Sequence, residues 1–147
     1  MVNVQQRPDL ARFEAMVDEA GPASPVLGSP CWLWTGATDP RGFPKFWLRG
    51  NAVTAQRAAL LLVGRKLRAD QVVTNLCTNR RCVRPGHLAT ATLAEARALR
   101  CRGRPRIGLG EIAVIRLVVR DGETSVEDAA WAFGLSPEFV EQIVAAG

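Results

Sequence analysis

The sequence predicts an α+β protein in two small units, a mixed unit followed by a helical one, and three observations carry that prediction. Short apolar and aromatic runs at 31–34, 43–49 and 71–75 alternate with turn-rich stretches as strands do, while runs at 55–63, 93–100 and 111–145 repeat apolar residues at helical spacing. Three of the four cysteines and the single histidine stand at Cys31, Cys77, Cys82 and His87. The charge reverses near residue 110, with 17 Lys and Arg against 7 Asp and Glu before it and 2 against 7 after it.

In chain order, residues 8–20 open on Pro8 and place Leu10, Phe13, Met16 and Val17 at helical spacing, so this stretch reads as a short amphipathic helix. Gly, Pro and Ser crowd residues 21–30, a connector. Cys31-Trp32-Leu33-Trp34 and Phe43-Pro44-Lys45-Phe46-Trp47-Leu48-Arg49 read as strands joined through the turn-rich 38–42. Residues 55–63 form a helix closed by Gly64, 71–75 a short strand, 76–88 a cysteine-containing loop and 93–100 a helix. Residues 100–110 are a basic linker between a first unit, 1–99, and a second, 111–147. In the second, residues 111–120 offer Ile112, Ile115, Leu117 and Val118 to a core. Ser125 caps a helix over 126–133, Gly134-Leu135-Ser136 turns, and Pro137 opens a helix reaching residue 145. Trp32, Trp34 and Trp47 are expected in the core of the first unit and Trp131 in that of the second; the alternative for Trp47 is a base-stacking side chain.

An apolar share of 48% and a charged share of 22% are those of a folded globular chain and exclude disorder as the starting point. The longest apolar run, 58–63, is too short to span a bilayer, and residues 1–12 lack the apolar core of a signal peptide. The expectation is an intracellular protein with no membrane partner and no disulfides. Between Arg41 and Arg106, 15 basic residues face only Asp70 and Glu95, which implies either a polyanionic partner or a solvated basic face.

Cys77-x4-Cys82-x4-His87 supplies two thiolates and an imidazole within eleven residues, and Cys31 is the only cysteine upstream. Four such donors make the closed tetrahedral shell of structural Zn2+; the alternative is buried cysteines beside a satisfied histidine. Cys101 falls outside the pattern, among arginines, and reads as a free thiol.

The run Val73-Thr74-Asn75-Leu76-Cys77-Thr78-Asn79-Arg80-Arg81-Cys82-Val83-Arg84-Pro85-Gly86-His87-Leu88 resembles the core of HNH, or His-Cys box, homing-type endonucleases of the His-Me finger class, whose pattern is roughly V-D-H-x-C-x-N-x-x-C-x-N-P-x-H-L. Arg12-Phe13, Cys31-Trp32-Leu33-Trp34-Thr35-Gly36 and Ala55-Gln56-Arg57 resemble that family's R-F, C-W-x-W-T-G and A-H-R, so the likeness covers about residues 12–97. It implies a ββα-metal domain in which Cys31, Cys77, Cys82 and His87 hold a structural Zn2+.

The same resemblance implies lost catalysis. Asn75 stands where the family has its general-base histidine, and an amide cannot activate water. Ala96 stands where an asparagine helps hold the catalytic Mg2+, Thr74 replaces an aspartate, and Gln56 replaces the histidine of A-H-R. The route back to hydrolysis would be a divalent ion gathered by Asn75 with Glu95.

Arg102-Gly103-Arg104-Pro105, flanked by Arg100 and Arg106, resembles an AT-hook, whose thin backbone suits the narrow minor groove of A·T-rich DNA. Residues 111–147 resemble a helix-turn-helix of bacterial regulators and phage HNH proteins, with Ala130, Gly134, Val140 and Ile143 at its small, turn and core positions. Its second helix offers Glu138, Glu141 and Gln142 and no basic residue, which favours a protein contact or self-association over base reading. The reading is therefore a non-catalytic protein binding double-stranded DNA, a regulator or accessory protein, cytoplasmic and nucleoid-associated, bacterial or phage-encoded. Its DNA contacts are expected from Arg41, Lys45, Arg49, Arg57, Arg80, Arg81, Arg84, Arg97, Arg100, Arg102, Arg104 and Arg106. The alternatives are a Mg2+-dependent nicking enzyme with an altered site and a DNA-anchored adaptor gripping a protein through residues 111–147.

Overall fold

The computed structural model describes residues 7–100 and 107–147, which form six α-helices and three two-stranded antiparallel sheets. The first helix, α1 (Arg7–Glu14), is shorter than the 8–20 expected. Its apolar spacing continues past Glu14, but the backbone leaves the helix to pair: Val17 of β1 (Val17–Asp18) lies opposite Trp34 of β2 (Leu33–Trp34), and the Met16 carbonyl accepts from the Thr35 N–H at 2.8 Å.

The run at 43–49 holds a strand, β3 (Lys45–Leu48), but it does not pair with 31–34. It turns back through Arg49-Gly50 onto β4 (Asn51–Thr54), in the register Lys45↔Thr54 to Leu48↔Asn51. Both loop residues have positive φ, 50° and 80°, the pattern of a type I′ turn whose twist matches that of the strands. Phe46 and Leu48 point inward while Lys45 and Trp47 point to solvent, the period of two that a half-buried strand requires. Thr54 then caps α2 (Ala55–Leu62) by accepting from the Arg57 N–H. α2 buries Ala55, Ala58, Ala59, Leu60 and Leu62 beside Phe13, Trp34 and Phe46, whose rings stand 5.1 to 5.9 Å apart.

β5 (Val72–Asn75) leads into the cysteine loop and a 3-10 turn at Pro85–His87, after which β6 (Leu88–Ala91) returns antiparallel to β5 with Val73 opposite Thr90. Fully buried Leu-Ala-Thr-Ala has no alternation to mark it as a strand; the sequence places Leu88 at the end of the cysteine loop and marks nothing at 89–91. α3 (Leu93–Arg100) packs on both strands.

α4 (Leu109–Arg120) begins two residues inside the stretch expected to be linker, while α5 (Val126–Phe133) and α6 (Pro137–Ala145) follow the expected spans, with Ser125 and Ser136 accepting from the Asp128 and Phe139 N–H groups. Arg116, buried, and Arg120 reach across from α4 to the last carbonyls of α6, those of Ile143, Val144 and Ala146, which a helix end leaves without partners. α6 also packs on β6. There the Gln142 side chain accepts from the Thr90 N–H at 2.8 Å and donates to the Thr90 carbonyl at 2.7 Å, so part of the face expected to await a partner is engaged within the chain.

Two apolar clusters result. One surrounds α2; the other runs from Cys31, Leu76, Cys77 and Cys82 through Ala89 and Leu99 into Ile107, Ile112, Ile115, Phe139, Val140 and Ile143. The tryptophans divide against expectation. Trp34 is fully buried and Trp32 half-buried, but Trp47 is 62% and Trp131 87% exposed, as is Leu117 at 60%. Outward register puts Trp47 in solvent, and α5 turns Ala129 and Ala130 inward where Trp131 was expected. No helix of the described residues is long and apolar enough to cross a membrane.

Candidate metal centre

Cys31, 46 residues upstream of Cys77, reaches the cysteine loop by backbone pairing. The Trp34 N–H donates to the Arg81 carbonyl and the Val83 N–H to the Trp32 carbonyl, so 32–34 lie alongside 81–83. On its other side the Cys31 N–H donates to the Pro22 carbonyl, and Gly21 lies so close that a Cβ there would stand 2.3 Å from the Cys31 carbonyl oxygen. Only glycine permits that approach.

The loop itself is drawn tight by side-chain amides. Asn75 donates through Nδ2 to the Cys82 carbonyl and Gln56 through Nε2 to the Arg80 carbonyl, each at 2.7 Å. Thr78, a β-branched residue, is held at φ 58°, in the left-handed region where such residues are rare. The Leu76 N–H bonds to the His87 carbonyl, closing the loop at its neck.

Four donors converge inside: one ligand atom from each of Cys31, Cys77, Cys82 and His87, all within 4.8 Å of one another and all from buried residues. Cys31 Sγ and Cys82 Sγ each lie 3.6 Å from His87 Nδ1. The other ring nitrogen, Nε2, is 2.6 Å from the Ser29 hydroxyl, which fixes the ring so that Nδ1 faces the thiols. Ser29 was not foreseen, since nothing in a connector marks a serine as a histidine's partner. The hydrogen bond from Cys77 holds the Cys82 thiol down at about 5, helped by the Arg84 and Trp32 N–H groups. That same bond, and then burial, pushes Cys77 up; burial, and then the Cys82 charge, pushes Cys31 up. A bare cluster thus ionises one thiol readily, and only a cation among the sulfurs would favour three thiolates together. Four buried Cys and His donors this close are compatible with a structural metal ion.

Beside the loop is a cleft of about 250 Å³ lined by Phe43, Thr54, Gln56, Thr74, Asn75 and Arg80, among others. Glu95 does not line it. Its carboxylate is buried behind α3, accepting from the Thr92 and Ser136 hydroxyls in a second cavity. Ala96 is buried.

The basic residues fall into two groups. Arg57, Arg81 and Arg84 donate to the carbonyls of Gln71, Trp34 and Pro30, tying loops together, and Arg84 also lies over the Trp32 ring. Arg41, Lys45, Arg49, Arg80 and Arg97 are exposed, as is Arg81; Arg41 and Arg80 both stack on Phe43, Arg80 donates to the Arg41 carbonyl, and Arg41 pairs with Asp39 at 3.5 Å. The Arg100 side chain and residues 101–106, with Cys101, Arg102, Arg104 and Arg106 of the AT-hook-like run, lie outside the described residues. Arg12, for which sequence gave only the R-F dipeptide, donates to the Trp47 carbonyl and stacks over Phe46.

No family model, no curated protein and no solved structure matches the chain.

Proposed function

We propose that this chain is a non-catalytic DNA-binding protein built on a metal-stapled ββα core of the HNH, or His-Me finger, type, with Zn2+ as its structural ion. The observation that carries the reading is the order β5, cysteine loop, β6, α3 with the four motif donors gathered inside the loop. Three thiolates and an imidazole suit Zn2+. With Zn–S about 2.3 Å and Zn–N about 2.0–2.1 Å, a tetrahedral shell has sulfur–nitrogen edges of about 3.6 Å. Two edges of the cluster have that length.

The cleft beside the loop supports the loss of catalysis. Its floor offers amides and hydroxyls, Asn75 and Gln56 serve as donors to loop carbonyls, and Glu95 occupies a different cavity from Asn75. An amide takes up no proton near neutral pH, and a buried methyl at Ala96 ligates nothing. The exposed cations at 41, 45, 49, 80 and 97 support a polyanionic partner.

The test combines a duplex-binding titration with plasmid nicking. Duplex should bind with log K falling against log salt at a slope of about −5 if about six phosphates are neutralised, and plasmid should stay supercoiled in Mg2+ or Mn2+. Metal-dependent nicking that Asn75→Ala abolishes would establish an enzyme instead. Absence of duplex binding would remove the duplex reading.

A further inference from the structure

Trp47 is a large indole held in solvent by a well-formed strand, not by a frayed end. Its neighbours Phe46 and Leu48 are buried, its carbonyl accepts from Arg12, and β3 is paired along its whole length. The residue opposite it on β4 is Ala52, too small to cover the ring. On the same face Lys45 stands two residues away, about 6.7 Å along the strand, with Thr54 opposite it. Beyond Trp47 comes Arg49 in the turn, an exposed residue at φ 50° where Asn, Asp or Gly is favoured, a conformation of a kind that clusters at functional positions. Arg49 also lines a shallow cleft of about 390 Å³ with Arg65, Lys66 and leucine side chains.

Cations outnumber carboxylates around this ribbon: Asp39 lies near Lys45 and Asp9 pairs with Arg12 beside the Trp47 carbonyl, but neither forms an ion pair with a ribbon cation. No Asp or Glu occurs in the sequence from Arg41 to Ala69, and none of the ion pairs among the described residues involves Lys45, Arg49, Arg65 or Lys66. A protein-binding aromatic sits in an apolar patch whose rim excludes water. Here the indole is flanked by two cations, a threonine and an alanine. An aromatic face between cations is the arrangement that takes a nucleic-acid base on the ring and phosphates on the charges. Within a duplex the faces of the bases are hidden by stacking; only an unpaired base offers one.

We infer that the β3–β4 ribbon binds single-stranded nucleic acid, with an unpaired base stacked on Trp47, phosphates on Lys45 and Arg49, and the strand continuing into the cleft of Arg65 and Lys66. This goes beyond the proposed duplex binding and rests on the same polyanionic preference. It makes gapped or unwound DNA the preferred substrate for binding.

The experiment compares a random-sequence duplex with the same duplex carrying a single-stranded gap of a few nucleotides, using the full zinc-loaded chain and its Trp47→Ala and Trp47→Phe variants. The native chain should bind the gapped duplex about tenfold tighter, as one base–aromatic stack is worth. Trp47→Ala should bring the ratio of the two affinities to about one, and Trp47→Phe should restore most of it. Indole emission of the native chain should be quenched by gapped DNA and not in Trp47→Phe. Duplex binding with no preference for the gap, or a preference that survives Trp47→Ala, would overturn this inference while leaving the DNA reading intact. Gap binding that depends on Trp47 without measurable duplex binding would support it and overturn the duplex reading, and no binding to either would overturn both.

Discussion

A single hydroxyl decides which way the one histidine of this chain faces. With Ser29 against Nε2 at 2.6 Å, His87 can present only Nδ1 to the thiols, and the partner costs the ring no freedom it would otherwise use. Outer partners of this kind are typically worth about 10–100-fold in metal affinity. Ser29→Ala should therefore weaken binding of the proposed Zn2+ by about that factor in competition with a chromogenic chelator, while a far larger loss is expected for Cys82→Ala, which removes a donor. The donor set was legible because cysteines and a histidine at short spacing are rare and chemically marked. Ser29 was not, because a serine's role depends on which chain segment folds against it. Gln56 and Asn75 lie between these cases. The resemblance to the HNH pattern singles out both positions in sequence, but their use as clasps on the Arg80 and Cys82 carbonyls appears only in three dimensions.

Among the elements, the ribbon shows why sequence reading failed where it did. Two aromatic runs separated by a turn-rich stretch look like a hairpin, yet 31–34 pairs with β1 and with the cysteine loop, while β3 pairs with a strand that begins Asn51-Ala52. The expected turn at 38–42 does fold 43–45 back on 37–39, with Thr38 opposite Pro44, but the turn that pairs β3 with a strand, Arg49-Gly50, was hidden because its first residue is a poor choice for positive φ. That poor choice yields a prediction. Arg49→Asn creates the favoured Asn-Gly pair and should stabilise the fold by about 1 kcal/mol in urea titration, since the left-handed conformation costs an ordinary residue roughly that much. Its nucleic-acid affinity should fall, because the charge is gone. Stability and binding moving in opposite directions would mark Arg49 as kept for contact and not for folding. The helices α4 to α6 were legible nearly to the residue, because serine caps, Pro137 and helical spacing all agree there. The exposure of Trp131 and Leu117 was not, since helical spacing fixes a face but not which neighbour covers it.

For the molecule as a whole, the cysteine loop is part of a core and not an appendage to one. Cys31, Cys77 and Cys82 share an apolar cluster with Ile112, Ile115, Phe139 and Ile143, so α4 to α6 rest on the same packing that a metal would lock. Structural Zn2+ contributes roughly 10–16 kcal/mol of apparent binding free energy in small domains at neutral pH. Chelation should accordingly melt the C-terminal helices together with the cysteine loop. Circular dichroism should then register a loss of helix well beyond α3, and helices that stayed folded in excess chelator would show the two parts to be energetically separate.

Gln142 has one more effect. A sheet of two strands has an open rim, and unpaired N–H and C=O groups along a rim invite strands from other molecules. At Thr90 that invitation is withdrawn by a side chain whose amide copies a peptide group, one acceptor and one donor in the right order. The acidic helix that carries it adds Glu138 and Glu141 nearby, so an approaching strand would meet both a filled rim and like-signed carboxylates of its neighbour's helix. The last of the described helices thereby fills from within the chain the rim position that a strand of another copy would need.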